Sequence, residues 1–163
     1  MSSMIEKLPP DILRKHKGIS FVGVSTCFFV HDKSGRFFMG QRSKNSRDEH
    51  GTWELGGGGL KMGMLAEENL HRELKEEYNA TPIETKFLGY RDVLRKLQDG
   101  TPTHWLALDF AVRVDPGEVR INEPDMFDDS GWFTLETLPT PLHSQQMTFF
   151  EQYADQLAPL LDN

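Results

Sequence analysis

Residues 56–80 read GGGGLKMGMLAEENLHRELKEEYNA, and this stretch decides the fold. Its opening run, Gly56-Gly57-Gly58-Gly59, follows a short extended piece, Trp53-Glu54-Leu55. With no Cβ in the way, the glycine backbone can approach another group closely, so the run reads as a close-approach segment between a strand and a helix. Leu65 to Tyr78 is the clearest helix of the chain, because Leu70, Leu74 and Tyr78 recur at i, i+4 and i+8 and form one apolar stripe. Asn79 supplies a left-handed stop and Pro82 prevents continuation. Glu73, Glu76 and Glu77 fall within an arc of roughly 100° beside that stripe. Glu73 and Glu77 repel one another at i, i+4, and a hard divalent cation with oxygen ligands would offset the repulsion. Taken alone, the helix reads as a solvated charged face with Arg72 and Lys75 as partners. The glycine run shifts that reading towards a site, since it adds free carbonyls for a metal and free amide N–H groups for phosphate.

Outward from this core, the chain alternates strands and helices. On the N-terminal side, Ile19 to His31 is rich in Val, Phe and Thr and reads as a strand, turned by Asp32-Lys33-Ser34-Gly35 into a second strand, Arg36 to Gln41. Residues 42–51 read as an exposed polar loop. Residues 1–18 read as a polar arm in which Asp11 to His16 forms a short helix ended by Gly18. On the C-terminal side, 83–97 and 103–114 read as two long strands joined at Asp99-Gly100. An acidic loop at 118–130, a short extended Gly131-Trp132-Phe133, a helical turn at Leu135 to Leu138 and a closing helix from Gln145 to Leu161 complete the order. The expected architecture is an α/β/α sandwich, a mixed sheet between helices, with an arm at 1–18 and one domain at 19–163. At 163 residues and a formal charge of −7, the chain is one domain's worth of sequence and lacks the cation excess that a nucleic-acid polymer demands. No apolar run is long enough for a membrane span, and Met1 to Lys17 has no apolar signal-peptide core. Cys27 is the single cysteine, which excludes an intramolecular disulfide and suits a reducing, cytoplasmic setting.

Residues 58–80 resemble the Nudix box, whose pattern is Gly, five residues, Glu, seven residues, then Arg-Glu-aliphatic-x-Glu-Glu-x-Gly-aliphatic. Gly58, Arg72, Glu73, Leu74, Glu76, Glu77 and Ala80 match it with the spacing kept. Gly51-Thr52-Trp53-Glu54-Leu55 is similar to the strand that leads into the box, and Gly131-Trp132-Phe133 with Leu138-Pro139 to the family's late strand and short helix, so the resemblance spans roughly 19–140. The box departs from the pattern at Met64, where the family has its first Glu, and at Asn79, where it has Gly; Lys61 and Gly56 stand where Glu and Pro are frequent. The resemblance implies Mg²⁺- or Mn²⁺-dependent hydrolysis of a nucleoside diphosphate linked to a group X, with water attacking phosphorus. It assigns metal to Glu76 and Glu77, makes Glu73 a further ligand or an orienter of the water, gives Arg72 a box carboxylate to hold, and offers the Gly57 carbonyl as an extra ligand. A carboxylate from outside the box often joins such sites; Asp115, Glu118, Glu123, Asp125, Asp128 and Asp129 are the candidates, and the sequence does not choose among them. The loss of the Met64 carboxylate is expected to leave metal binding in place and to slow catalysis.

The remaining chemistry-bearing residues read blandly. His16, His31, His50, His71, His104 and His143 show no zinc spacing; His50 and His143 are exposed loop residues on this reading. Ser25, Ser34 and Ser144 lack a nucleophile-elbow context. At least two of Trp53, Trp105 and Trp132 are expected in the core, Cys27 is expected to be a buried small residue, and Met39, Met62 and Met64 to fill gaps or line a pocket. The Pro that marks ADP-ribose enzymes past the box is absent at Arg95 and Lys96, and the Tyr of dinucleoside polyphosphate enzymes is absent at Leu97 and Gln98. What remains is a nucleoside triphosphate pyrophosphohydrolase giving monophosphate and pyrophosphate. The alternatives are a nucleotide-sugar hydrolase of the GDP-mannose type and a non-catalytic nucleotide-binding module. The partner is a small nucleotide in each case, and the arm is a candidate element for a homodimer.

Overall fold

The computed structural model describes residues 6–162. The elements, in chain order, are α1 (Pro10–His16), β1 (Gly23–His31), β2 (Phe37–Arg42), β3 (Trp53–Glu54), β4 (Gly56–Gly59), α2 (Ala66–Tyr78), β5 (Glu84–Lys96), β6 (Pro102–Arg113), β7 (Phe127–Phe133), a 3₁₀ turn (Leu135–Thr137), α3 (Gln146–Gln152) and α4 (Ala154–Leu161). The second strand and α2 lie where the residue pattern places them, within a residue at their ends. Four expectations are corrected. The first strand begins at Gly23, not Ile19. The glycine run is itself a strand, β4. The last strand begins at Phe127, inside the segment read as loop. The closing helix is two helices that break at Tyr153. Of the N-terminal arm, residues 1–5 lie outside the described residues.

The strands form one mixed sheet in the order β3-β2-β1-β6-β5, with β4 paired to β1 and β7 to β2. Its centre is β1, parallel to β6 from Gly23↔Trp105 to His31↔Arg113. The other edge of β1 is shared. Ser25–Phe28 pair with β4, whereas His31 pairs with β2. Because β3 belongs to β2 and β4 to β1, the chain crosses from one strand to the other at Leu55. The sheet therefore opens into a cleft there.

Alternation along β1 sends Phe28 and Val30 to one face and Phe29 to the other. On the first face Leu70, Leu74 and Tyr78 of α2 are fully buried with Phe28, Phe38, Phe110 and Val112. Phe28 and Phe38 meet the Tyr78 ring edge-on at 5.4 and 4.9 Å. On the second face Phe29, Phe37 and Met39 pack under Phe149, Phe150, Tyr153 and Leu157 of α3 and α4. These two cores make the three-layer α/β/α sandwich. The break at Tyr153 has a cause: its hydroxyl donates to the carboxylate of Asp109, which is fully buried, at 2.8 Å. Gln152 and Gln156 donate to the carbonyls of Tyr90 and Leu88, which blunts the free edge of β5 against further strand pairing. None of the described helices is long and apolar enough to cross a membrane.

Candidate active site

The glycine strand explains itself through its register. Opposite Phe28 and Thr26, Gly56 and Gly58 face α2. A Cβ on Gly58 would lie 2.2 Å from the carboxyl carbon of Glu73, and one on Gly56 would lie 2.9 Å from Oε2 of Glu77. Both approaches are closer than any side chain permits, so the run lets two helix carboxylates lie directly on the sheet backbone. Gly57 donates its N–H to Glu77 Oε2 at 3.3 Å. Asn69, fully buried, ties the parts together: its Nδ2 donates to Thr26 on β1, and its Oδ1 accepts from Lys61 N–H and from Arg72. Glu68 caps the start of α2 by accepting the N–H of Leu65, and Asn79 ends it at φ 54°, in the left-handed conformation read from the sequence.

Arg72 grips two box carboxylates. Its Nη1 donates to both oxygens of Glu76 at 2.9 and 2.7 Å, and its Nη2 to Glu73 at 2.6 Å. Glu77 stands apart from this grip on the cleft side, joined there by Glu54 and Glu123. Burial, and then the negative charges of Glu54, Glu73 and Glu123, push its carboxyl well above the ordinary range, against the pull of the Gly57 N–H. Glu54 is raised too, by burial first, although Arg42 binds it through one nitrogen at 2.9 and 2.8 Å. Glu123 is raised by burial and by Glu73 and Glu76. Three carboxyls raised by burial and by neighbouring negative charge form a cluster of oxygen donors, the kind of donor set that a hard divalent cation takes.

The candidates outside the box now separate. Asp115 caps its own turn at Gly117, Glu118 accepts from Thr81 N–H, and Asp129 accepts from Ser130 N–H. Asp125 engages Ser43 and Asn45 through its backbone carbonyl, and Asp128 is exposed. Glu123 alone of the six lines the cleft. Glu54 was passed over as part of a strand; its signal was an acid in an apolar Trp-Glu-Leu run next to the glycines. Met64 sits half-buried in the turn before α2, its N–H on the carbonyl of Lys61.

The cleft holds about 380 Å³ and is bounded by β4, the 42–51 loop, β5, and the start of α3. That volume suits a small molecule. Ion pairs tie the loop down. Arg42 bridges Glu54 and Asp48, Arg95 bridges Asp48 and Glu49, and Glu49 meets His143 Nε2 at 2.9 Å. Asp48, Glu49 and His143 place ligand atoms within 4.8 Å of one another, but the two arginines already balance their charge. His143 is buried, contrary to its reading as an exposed loop residue, because its segment runs beside β3: its N–H reaches the Trp53 carbonyl at 2.9 Å. Burial lowers its pKa to about 4, overriding the attraction of Glu49. Beneath the cleft floor, Asp109 accepts two bonds from Arg91 at 2.7 and 2.9 Å. Cys27 has its thiol pushed up to about 12, by burial above all, so it is no nucleophile at neutral pH. Trp53 is buried and Trp132 packs against the first core, whereas Trp105 lines the cleft.

Comparison with known proteins identifies the fold. A family model described as the NUDIX domain matches residues 22–153. The chain is similar to the crystal structure of a MutT NUDIX hydrolase from Burkholderia pseudomallei, with 28% identity, TM-score 0.70, and coverage of 81% of this chain and 98% of that one. It is similar to a MutT protein from Methanosarcina mazei Go1, with 25% identity, TM-score 0.68, and coverage of 83% and 94%. The NUDIX domain of Shewanella oneidensis NrtR, solved with ADP ribose, shares the fold at 16% identity and TM-score 0.67, over 92% of this chain and 99% of that one.

Proposed function

The chain belongs to the NUDIX domain family, and on that premise we propose that it hydrolyses nucleoside triphosphates to monophosphate and pyrophosphate with Mg²⁺ or Mn²⁺ as cofactor. At the level of the family it is a hydrolase of nucleoside diphosphates linked to a further group. One observation supports the metal-dependent reading: Glu73 and Glu77 lie on the side-chain-free faces of Gly58 and Gly56, with Glu54 and Glu123 beside Glu77 in the cleft. The donors are all oxygens, and they carry more negative charge than the local cations neutralise, which fits a hard divalent cation.

Glu73, Glu76 and Glu77 would hold the metal, and the Gly57 carbonyl lies on the same strand as a further oxygen donor. When bound, the cation supplies charge neutralisation to the phosphoryl oxygens and acidity to the attacking water. Arg72 fixes the directions of Glu73 and Glu76 through charge-assisted bonds. Arg42 does the same for Glu54. Glu123 lines the cleft and forms no ion pair among the described residues, so it is our choice for the carboxylate outside the box and the acceptor of the water's proton. The water oxygen bonds to phosphorus as the bridging P–O bond breaks, and the bridging oxygen leaves with the pyrophosphate or the monophosphate.

Glu77→Gln tests the assignment, since it removes a ligand charge and keeps the shape. Mg²⁺-dependent turnover of triphosphates should fall by about 100-fold or more, with the fold unchanged by circular dichroism. Undiminished turnover would remove Glu77 from the metal site. Free sugar released from a nucleotide sugar would instead support the GDP-mannose type of hydrolase.

A further inference from the structure

At the rim of the cleft, two cations gather round one indole. Trp105 on β6 sits over backbone that has no side chains: a Cβ on Gly18 would lie 2.1 Å from its Nε1, and a Cβ on Gly23 2.6 Å from its Cε3. Gly18 follows α1 and is pinned beside β6 by its carbonyl, which accepts the N–H of His104 at 2.9 Å. The N-terminal arm is thereby fastened to the cleft wall and carries Lys17 with it. The Lys17 ammonium stands 5.9 Å from the Trp105 ring centroid and donates to the carbonyl of Leu60, just past the glycine strand, at 2.7 Å. It also occupies the space beside Gly59: a Cβ there would meet Lys17 Nζ at 3.2 Å and Trp105 at 3.9 Å. In register with Ser25, Gly59 faces the cleft. From the 42–51 loop, Arg47 brings its guanidinium to 6.0 Å from the same ring.

What separates these two cations from the others is their charge balance. Arg42, Arg91 and Arg95 also line the cleft, and each is bound to a carboxylate. Lys17 and Arg47 form no ion pair among the described residues. Lys17 has three donor hydrogens and uses one on Leu60. A chain with a formal charge of −7 has carboxylates to spare, yet it leaves Arg47, on the cleft wall, and Lys17, against the cleft-lining Gly59 and Trp105, without an ion pair among the described residues.

We propose that Lys17 and Arg47, held at Trp105, bind the terminal phosphate of the substrate, so that the group X is itself anionic phosphate and not a neutral sugar. The proposal rests on the triphosphate reading above and names the side chains that would select it. The arm then belongs to the substrate site: it delivers a cation to a place where the glycine strand leaves room for one. A neutral X gains nothing from these two charges.

The test uses Lys17→Met, Lys17→Arg and Arg47→Met in the full chain. The readouts are kcat and KM for a nucleoside triphosphate and for UDP-glucose, with inorganic tripolyphosphate as a probe that has no nucleoside. Each Met variant should raise KM for the triphosphate about tenfold, leave kcat within about twofold, and weaken tripolyphosphate binding by the same factor. Lys17→Arg should restore most of the loss, and UDP-glucose parameters should not move. Unchanged KM and tripolyphosphate affinity in both Met variants would overturn the proposal, as would an equal loss on UDP-glucose, which marks a purely structural role. Because Arg47 is exposed, its variant reports even where Lys17→Met perturbs the arm. The two claims fail separately. Triphosphate turnover that is lost in Glu77→Gln but indifferent to Lys17 and Arg47 sinks this proposal alone. Tripolyphosphate binding that depends on both cations, without triphosphate turnover, sinks the hydrolase reading alone.

Discussion

Met64 occupies the box position where the family pattern has a carboxylate, and it lies half-buried in the turn that leads into α2. The remaining acids crowd round Glu77 without it, Glu54 and Glu123 among them. Met64→Glu should therefore raise kcat by several-fold, about 1 kcal/mol in the barrier, if that lost acceptor limits the rate. A folded variant with no gain would show that Glu54 or Glu123 has taken over its task. At this scale the box was legible residue by residue, because Arg72, Glu73, Glu76 and Glu77 keep a fixed spacing on one helix. Glu54 and Glu123 were not. Their proximity to Glu77 comes from the crossing at Leu55 and from the path of the 118–126 segment, and no local pattern encodes either. His143 was misread for the same reason, since only tertiary contact with β3 buries it.

The elements tell a similar story. Helix α2 announced itself by its apolar stripe, and Asn79 ended it as read. Strand β4 did not, because glycine has the weakest strand preference, and four together signal a turn before they signal a ladder. Pairing with Ser25–Phe28 overrides that preference, and the helix carboxylates need the absent side chains. The glycine strand completes what the acidic face of α2 begins, because Glu73 and Glu77 lie against Gly58 and Gly56. One feature of α2 is costly: the Tyr78 hydroxyl is buried with no hydrogen-bond partner among the described residues. An unsatisfied buried group of this kind costs about 1–3 kcal/mol. Tyr78→Phe keeps the edge-on contacts with Phe28 and Phe38 and removes the stranded hydroxyl, so the midpoint of thermal unfolding should stay level or rise. A loss of several degrees would mean that the hydroxyl is satisfied in solution.

For the whole molecule, the sandwich gathers Glu54, Glu77 and Glu123 at a cost in electrostatic stability. The Glu77 carboxyl is raised in the folded state, chiefly by burial, and Glu54 and Glu123 are raised in the same direction. For such a group the stability contribution is complete below its unfolded pKa, about 4.3, and is lost as pH rises through the folded pKa. Under the proposed function, a divalent cation would neutralise these carboxylates in place of protons. Its stabilising effect should therefore grow with pH, and the Mg²⁺-induced rise in melting midpoint should be larger at pH 8 than at pH 5.5. An equal rise at both would detach the metal from these carboxylates. The central claim concerns the bond that is cut, and hydrolysis in ¹⁸O-enriched water tests it most directly. With a nucleoside triphosphate and Mg²⁺, the products should be monophosphate and pyrophosphate, with one label on a phosphoryl oxygen of either product and none after Glu77→Gln. Label on a sugar carbon, or no cleavage of any nucleoside triphosphate, would contradict the account.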